Sequence, residues 1–160
     1  MKNTILIMAS ALVLLVAGCS KKADTIADNK GKVVAYLFTN QYLSSIHDFE
    51  RNIPVHNTAI DSSLILIYYF DAQVNGWYSS PGPGTAASYQ TRYFLSAQQD
   101  STTVTLKAYS PTFGPYTGGT INLTKVKIVV ALADETLTGK RAPVDYSNYR
   151  ETMRYFGLKE

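Results

Sequence analysis

The chain has 160 residues with 46% hydrophobic and 17% charged side chains, a formal net charge of +3, two histidines and a single cysteine. That length is the size of one domain, the hydrophobic fraction excludes intrinsic disorder, and a charge so near zero gives no electrostatic case for nucleic acid. One cysteine also leaves no intrachain disulfide, so the domain must be held by burial alone.

The first elements concern address. Lys2 supplies a short basic start, Ile5 to Val16 is apolar apart from Ser10, and the small residues Ala17 and Gly18 close the run. This is the grammar of a secretory signal peptide, a helix over residues 1–18, and the run is too short for the ~20 residues of a membrane-spanning helix. With Lys2 removed, 14 Lys and Arg face 12 Asp and Glu, which keeps the remainder near neutral. Residues 19–32, ending in SKKADTIADNKGK, mix Lys, Asp, Asn and Gly with almost no large apolar side chain and are expected to form a flexible tether.

From Val33 to Glu160 a single domain is expected. Val33 to Thr39 and the stretch from Tyr42 to Ile53, stopped by Pro54, give the first two strands. Leu64 to Phe70 is a continuous apolar run, which predicts a strand buried on both faces, and Asp71 with Asn75-Gly76 signals the turn that follows it. Trp77-Tyr78 opens a short strand, Ser79 to Gly84 (SSPGPG) is a surface loop, and Tyr89 to Ala97 resumes alternation. In Ser101 to Tyr109, Val104, Leu106 and Ala108 share one face; in Thr124 to Leu132, Val126, Ile128, Val130 and Leu132 face the core with Lys125 and Lys127 outward. Ser110 to Gly119 is a Pro/Gly-rich connection, and Asp134-Glu135 a polar loop. Near the C-terminus, Asp145 or Ser147 caps a helix over about 146–156 with Gly157 at its stop, and Tyr146, Tyr149, Met153 and Phe156 form an apolar stripe docked on the domain. The expected fold is all-β, an antiparallel β-sandwich of about six or seven strands with a short C-terminal α-helix.

The catalytic inventory is thin, and no catalytic residue is assigned. His47 and Asp48 are neighbours in a strand and so point to opposite faces. Asp48 and Glu50 share a face, the one arrangement that would suit paired carboxylates of a glycan-processing enzyme, although such a pair is more often simply a solvated strand face. No closely spaced Cys/His cluster exists for zinc, and Asp71 with Asn75 departs from the spacing of a calcium-binding loop, so neither metal nor soluble cofactor is expected. The positive anomaly is aromatic content: 12 Tyr, 6 Phe and 1 Trp. Trp77, Tyr78, Tyr89 and Tyr116 lie in or beside the two Pro/Gly-rich loops and are the candidate binding residues for a protein partner or a glycan.

Val16-Ala17-Gly18-Cys19 resembles the lipobox of bacterial lipoproteins. Together with Tyr68-Tyr69-Phe70, Gly76-Trp77, Val126 to Val130, Val144 to Tyr149 and Tyr155 to Leu158, it makes the chain similar to small β-sandwich lipoproteins of Gram-negative bacteria, a family without an assigned activity. The resemblance implies that Cys19 becomes the acylated N-terminus and carries three acyl chains, a permanent membrane anchor where one chain would be reversible. Ser20, in place of the aspartate that retains such proteins in the inner membrane, implies the outer membrane; Lys21 and Lys22, in place of an acidic run, imply a periplasm-facing domain. The expected function is that of a lipid-anchored, non-enzymatic envelope protein that binds an envelope protein or serves as a structural module, with a carbohydrate-binding module or weak glycan-processing enzyme as the alternative.

Overall fold

The computed structural model describes residues 24–26, 33–132 and 144–160; the signal segment, Cys19, most of the tether and Asp134-Glu135 lie outside the described residues. In chain order the elements are β1 (Asp24–Ile26), β2 (Val33–Leu43), β3 (Phe49–Ile53), α1 (Asn57–Ile60), β4 (Ser63–Asp71), β5 (Gly76–Ser80), β6 (Gly82–Pro83), β7 (Gln90–Ala97), β8 (Thr102–Tyr109), β9 (Ile121–Leu132) and α2 (Tyr149–Phe156). They form an antiparallel β-sandwich. One sheet has the order β1-β2-β9-β4-β5 and the other β3-β8-β7-β6. Consecutive hairpins are interrupted by changes of sheet, from β2 to β3, back through α1 to β4, from β5 through the cis Ser80–Pro81 bond to β6, and from β8 back to β9.

The layer between the sheets follows the period of two. Phe38 on β2, Ile67 and Tyr69 on β4, and Val126, Ile128 and Val130 on β9 meet Phe49 and Ile53 on β3 and Val104 and Leu106 on β8. Phe38 and Phe49 meet edge to face across the two sheets with centroids 5.5 Å apart. Each such fully buried side chain stabilises the fold by roughly 1.5–3 kcal/mol relative to an exposed one.

The opposite face of the larger sheet is covered as well. Val33 and Ala35 of β2, Tyr68 of β4 and Val129 and Ala131 of β9 form a second apolar cluster with Tyr149, Met153 and Leu158. Continuous apolar runs in β4 and β9 require this cover, because both faces of those strands lose water. The Tyr68 hydroxyl donates to the Tyr146 carbonyl at 2.6 Å and lies 2.8 Å from the Thr152 hydroxyl, which ties the strand to the helix. Asn148, rather than Asp145 or Ser147, caps α2 by accepting from the Glu151 N–H at 3.2 Å; Asp145 is engaged one turn earlier by the N–H and hydroxyl of Ser147. At the other end Gly157 takes φ 67°, and the N–H groups of Gly157 and Leu158 donate to the carbonyls of Arg154 and Met153 at 3.2 and 2.9 Å. That left-handed cap turns Leu158 back onto Met153, the hydrophobic closure that accompanies this motif.

Four expectations are corrected. The stretch from Tyr42 to Ile53 is not one strand: β2 runs on through Leu43, and a separate β3 begins at Phe49. The segment Ser79 to Gly84 is not a free loop, since Ser79 and Ser80 finish β5 and Gly82-Pro83 pairs with β7. The tether contains a strand, because Asp24 to Ile26 pairs with Leu37 to Ala35 and covers the edge that β2 would otherwise expose. Lys127 does not face water. It is 1% exposed, beneath α2, where its Nζ donates to the Tyr149 hydroxyl at 2.6 Å and the Lys159 carbonyl at 2.7 Å and lies 5.6 and 5.0 Å from the ring centres of Trp77 and Tyr149. Strand alternation placed it on the face opposite Ile128 correctly; the second layer that covers this face is what the alternation does not reveal.

Burial, reinforced by the like charge of Lys125, pulls the Lys127 ammonium down to about 8. An unfolded lysine titrates near 10.4, so between those values the unfolded chain holds the proton and the folded chain has released it. Stability therefore rises with pH across this window, by on the order of 2 kcal/mol between pH 8 and 10. Above about pH 10 the trend reverses, because burial raises the Tyr68, Tyr69 and Tyr149 hydroxyls and the unfolded tyrosines ionise first. Denaturant titrations at pH 7.5 and 9.5, followed by the fluorescence of the single tryptophan, are expected to show the higher midpoint at pH 9.5. Lys127→Met should remove the difference; a wild-type pH response in that variant would refute the assignment.

Candidate functional site

The site is built at the end of the sandwich where the β4–β5 turn meets the β6–β7 connection. Asp71 closes β4 opposite Gly76, and Asn75 takes φ 51° to make the turn between them. One Asp71 oxygen accepts from the Gln73 N–H at 2.8 Å, the ordinary geometry of an aspartate-initiated turn. Its other oxygen accepts from the Thr85 hydroxyl and so clamps the second loop to the first. Thr85 begins a single 3-10 turn, Thr85–Ala87, in which Ala86 and Ala87 adopt φ 50° and 55°. Left-handed backbone at alanine costs roughly 1–2 kcal/mol per residue. The turn is held by the clamp and by bonds from Gly84 N–H to the Tyr89 carbonyl at 2.9 Å and from Ala87 N–H to the Gly84 carbonyl at 3.0 Å.

Between these loops and the Ser110 to Gly119 connection lies a cleft of about 240 Å³, lined principally by Asp71, Gln73, Thr85, Tyr89, Tyr116 and Asn122. Tyr89 lies flat against Gly84, where a Cβ would stand 2.0 Å from its Cζ, so glycine is required for the ring to take this place. Tyr116 meets Tyr89 edge to face at 6.2 Å and is oriented by donating to the Gly119 carbonyl at 2.9 Å. Asp71 and Tyr89 are 4% and 3% exposed. The buried hydroxyls of Tyr69 and Tyr89 lie against each other, with Thr91 beside the first and Thr85 beside the second, and burial pushes both above the usual tyrosine range.

Tyr89 and Tyr116 are thus brought together, whereas Trp77 and Tyr78 are not part of the same surface. They are successive residues of β5 and face opposite sides of the sheet. Tyr78 turns inward and stacks on Tyr69 at 5.6 Å. Trp77 turns outward beneath the helix layer and stacks on Tyr149 at 4.1 Å and 12°. Gln73, Thr85 and Asn122 escaped sequence reasoning as site residues, and Asp71 enters it only with Asn75, a pair set aside for calcium on its spacing. Asp71 was visible as a turn former, and nothing in its local sequence tells that Thr85 comes round to meet it.

Elsewhere the acid–base candidates are engaged separately. Asp48 forms an ion pair with Lys107 at 2.9 Å, while Glu50 is exposed and opposite Thr105. His47 stacks on Tyr42 at 4.2 Å, and His56 caps α1 by accepting from the Thr58 N–H. Among the described residues no group of three or more His, Cys, Asp or Glu side chains comes together. Asp71 and Asn75, the pair with the wrong spacing for calcium, also line different hollows, Asn75 facing the one beside Trp77 and Arg150. Across the smaller sheet, Phe94 and Phe113 are exposed beside Arg92, whose guanidinium lies 4.3 Å from the Phe113 ring.

Gly84→Ala is expected to push Tyr89 out of the cleft and to destabilise the fold by about 1–3 kcal/mol, the usual range for overpacking. Thermal unfolding measures this, and an unchanged midpoint would contradict the close approach of ring and backbone. No family model matches the chain, and neither a curated protein nor a solved structure does, so its functional reading rests on its own residues.

Proposed function

We propose that this chain is a lipid-anchored, non-enzymatic binding module of the bacterial cell envelope, held to the outer membrane by acyl chains on Cys19 and presenting the Asp71–Tyr89–Tyr116 cleft to a ligand. The observation that carries the anchor is the Val16-Ala17-Gly18-Cys19 sequence directly after the apolar run. A covalent lipid supplies attachment on its own, and no helix among the described residues is long and apolar enough to cross a membrane. The dispersal of His47, His56, Asp48 and Glu50 to separate local partners supports binding rather than turnover, because acid–base chemistry needs its groups within reach of one reacting atom.

The aromatic side chains bear on the ligand. A flat sugar-binding platform requires several coplanar rings open to water. Here Trp77 is stacked on Tyr149, Tyr78 on Tyr69, and Tyr89 is buried, so the 76–89 segment offers no such platform. A small polar cleft at a loop end favours a compact head group instead.

Growth with a radiolabelled fatty acid tests the anchor. The wild-type chain should take up label and fractionate with the outer membrane, whereas Cys19→Ser should accumulate as an unlabelled, unprocessed precursor. Labelling of the Cys19→Ser chain would end this reading.

A further inference from the structure

We infer that the cleft between the two loops binds a primary alkylammonium group, with Asp71 as its counter-charge. The inference rests on the reading of the chain as a binding module and names the chemistry that its cleft would recognise. Buried carboxylates in folded proteins are paired with cations or metals, because an isolated buried charge is costly. The Asp71 carboxylate is 4% exposed, and its described partners, the Gln73 N–H and the Thr85 hydroxyl, are both neutral. Among the described residues no lysine, arginine or histidine lines the cleft, and Asp71 is the only charged one that does. The counter-charge is therefore expected from a ligand.

The remaining lining selects the kind of cation. An ammonium group carries three donors and no acceptor. The cleft is lined by residues that carry acceptors to match: Asp71, Gln73, Asn122 and Thr85. The half-buried Tyr116, set edge to face on Tyr89, adds a ring surface, and a cation over a tyrosine face gains about 0.5–2 kcal/mol. A divalent cation is a poorer fit, since calcium takes 6–8 oxygen ligands and usually several carboxylates, where the cleft has one. A neutral polyol would leave the Asp71 charge uncompensated. At about 240 Å³ the space is below the ~300–1,000 Å³ of a drug-sized pocket, so it admits a lysine-like chain end or one amino-sugar ring rather than a larger molecule.

Calorimetric titration of the purified full-length chain in detergent tests the assignment. n-Butylamine is compared with n-butanol, which has similar size and no charge, and glucosamine with glucose; Nα-acetyl-lysine amide represents a peptide side chain. At pH 7 the charged member of each pair is expected to bind at least about tenfold more tightly, the scale of one charge-assisted hydrogen bond. The order among the three amines identifies whether a free amine, a peptide or an amino sugar is the better occupant. Asp71→Asn keeps an acceptor for Gln73 and should weaken ammonium binding about tenfold or more. Equal binding of charged and neutral members, binding of neither, or unchanged affinity in Asp71→Asn would overturn the proposal, and the pairwise comparison in the wild-type chain does not depend on how the variants fold. Fatty-acid labelling of Cys19 stands apart from this result: failure of acylation leaves the titration interpretable, and failure of binding leaves the anchor intact.

Discussion

Strands β4 and β9 lie side by side in the larger sheet, and each carries apolar side chains on both faces. A half-buried sheet needs one covering layer; these two strands need two. The smaller sheet covers Ile65, Ile67, Val126 and Ile128 from one side, and α2 with the chain after it covers Tyr68, Val129 and Ala131 from the other. Most of the remaining architecture depends on this requirement. It explains why the C-terminal helix has a tightly closed left-handed cap that folds Leu158 back, why Tyr68 reaches 78 residues along the chain to the Tyr146 carbonyl, and why the single tryptophan is spent on helix packing.

The fold was legible wherever a local period sufficed. The apolar run Leu64 to Phe70 announced a strand buried on both faces, and the alternation in Ser101 to Tyr109 oriented Val104 and Leu106 inward as found. Gly157 announced the end of the helix, and its φ of 67° is the physical reason. What could not be read is what depends on a second segment. Lys127 was assigned to the correct face, yet a lysine in a strand says nothing about a helix that arrives 22 residues later to bring Tyr149 against it. Asn148 outcompeted Asp145 for the cap because Asp145 was already engaged by Ser147, a choice between two good capping residues that composition does not rank. Asp24 to Ile26 belongs to a segment with almost no large apolar side chain, which gives no strand signal of its own; pairing with β2 supplies what its own sequence lacks.

The candidate site shows the same division. Two of the four aromatic residues picked out for their place beside loops, Tyr89 and Tyr116, do converge, while Trp77 and Tyr78 are separated by the pleat. Proximity to a loop predicted exposure of the loop, but in a strand adjacent residues serve different layers, and here both layers are filled. Asp71 illustrates the reverse error. A turn role explained it completely at the level of sequence, and that role is real, since it holds the Gln73 N–H. The turn uses only one carboxylate oxygen, so the second is left to act across space.

Two buried charges now sit in contrasting surroundings. Lys127 is enclosed by acceptors and ring faces supplied by its own chain: the Tyr149 hydroxyl, the Lys159 carbonyl and the rings of Trp77 and Tyr149. The helix closes over it, and burial there pulls the ammonium down to about 8. Asp71 is held by the Gln73 N–H and the Thr85 hydroxyl, and its enclosure opens into a cleft shared with Asn122 and Tyr116. The first arrangement shows, within the same protein, that a hydroxyl, a carbonyl and ring faces hold a lysine head in a largely dry environment while disfavouring its charged form. The Asp71 cleft differs in bringing a buried carboxylate to its lining, and its openness is what separates a surface for a partner from a contact that only stabilises the fold.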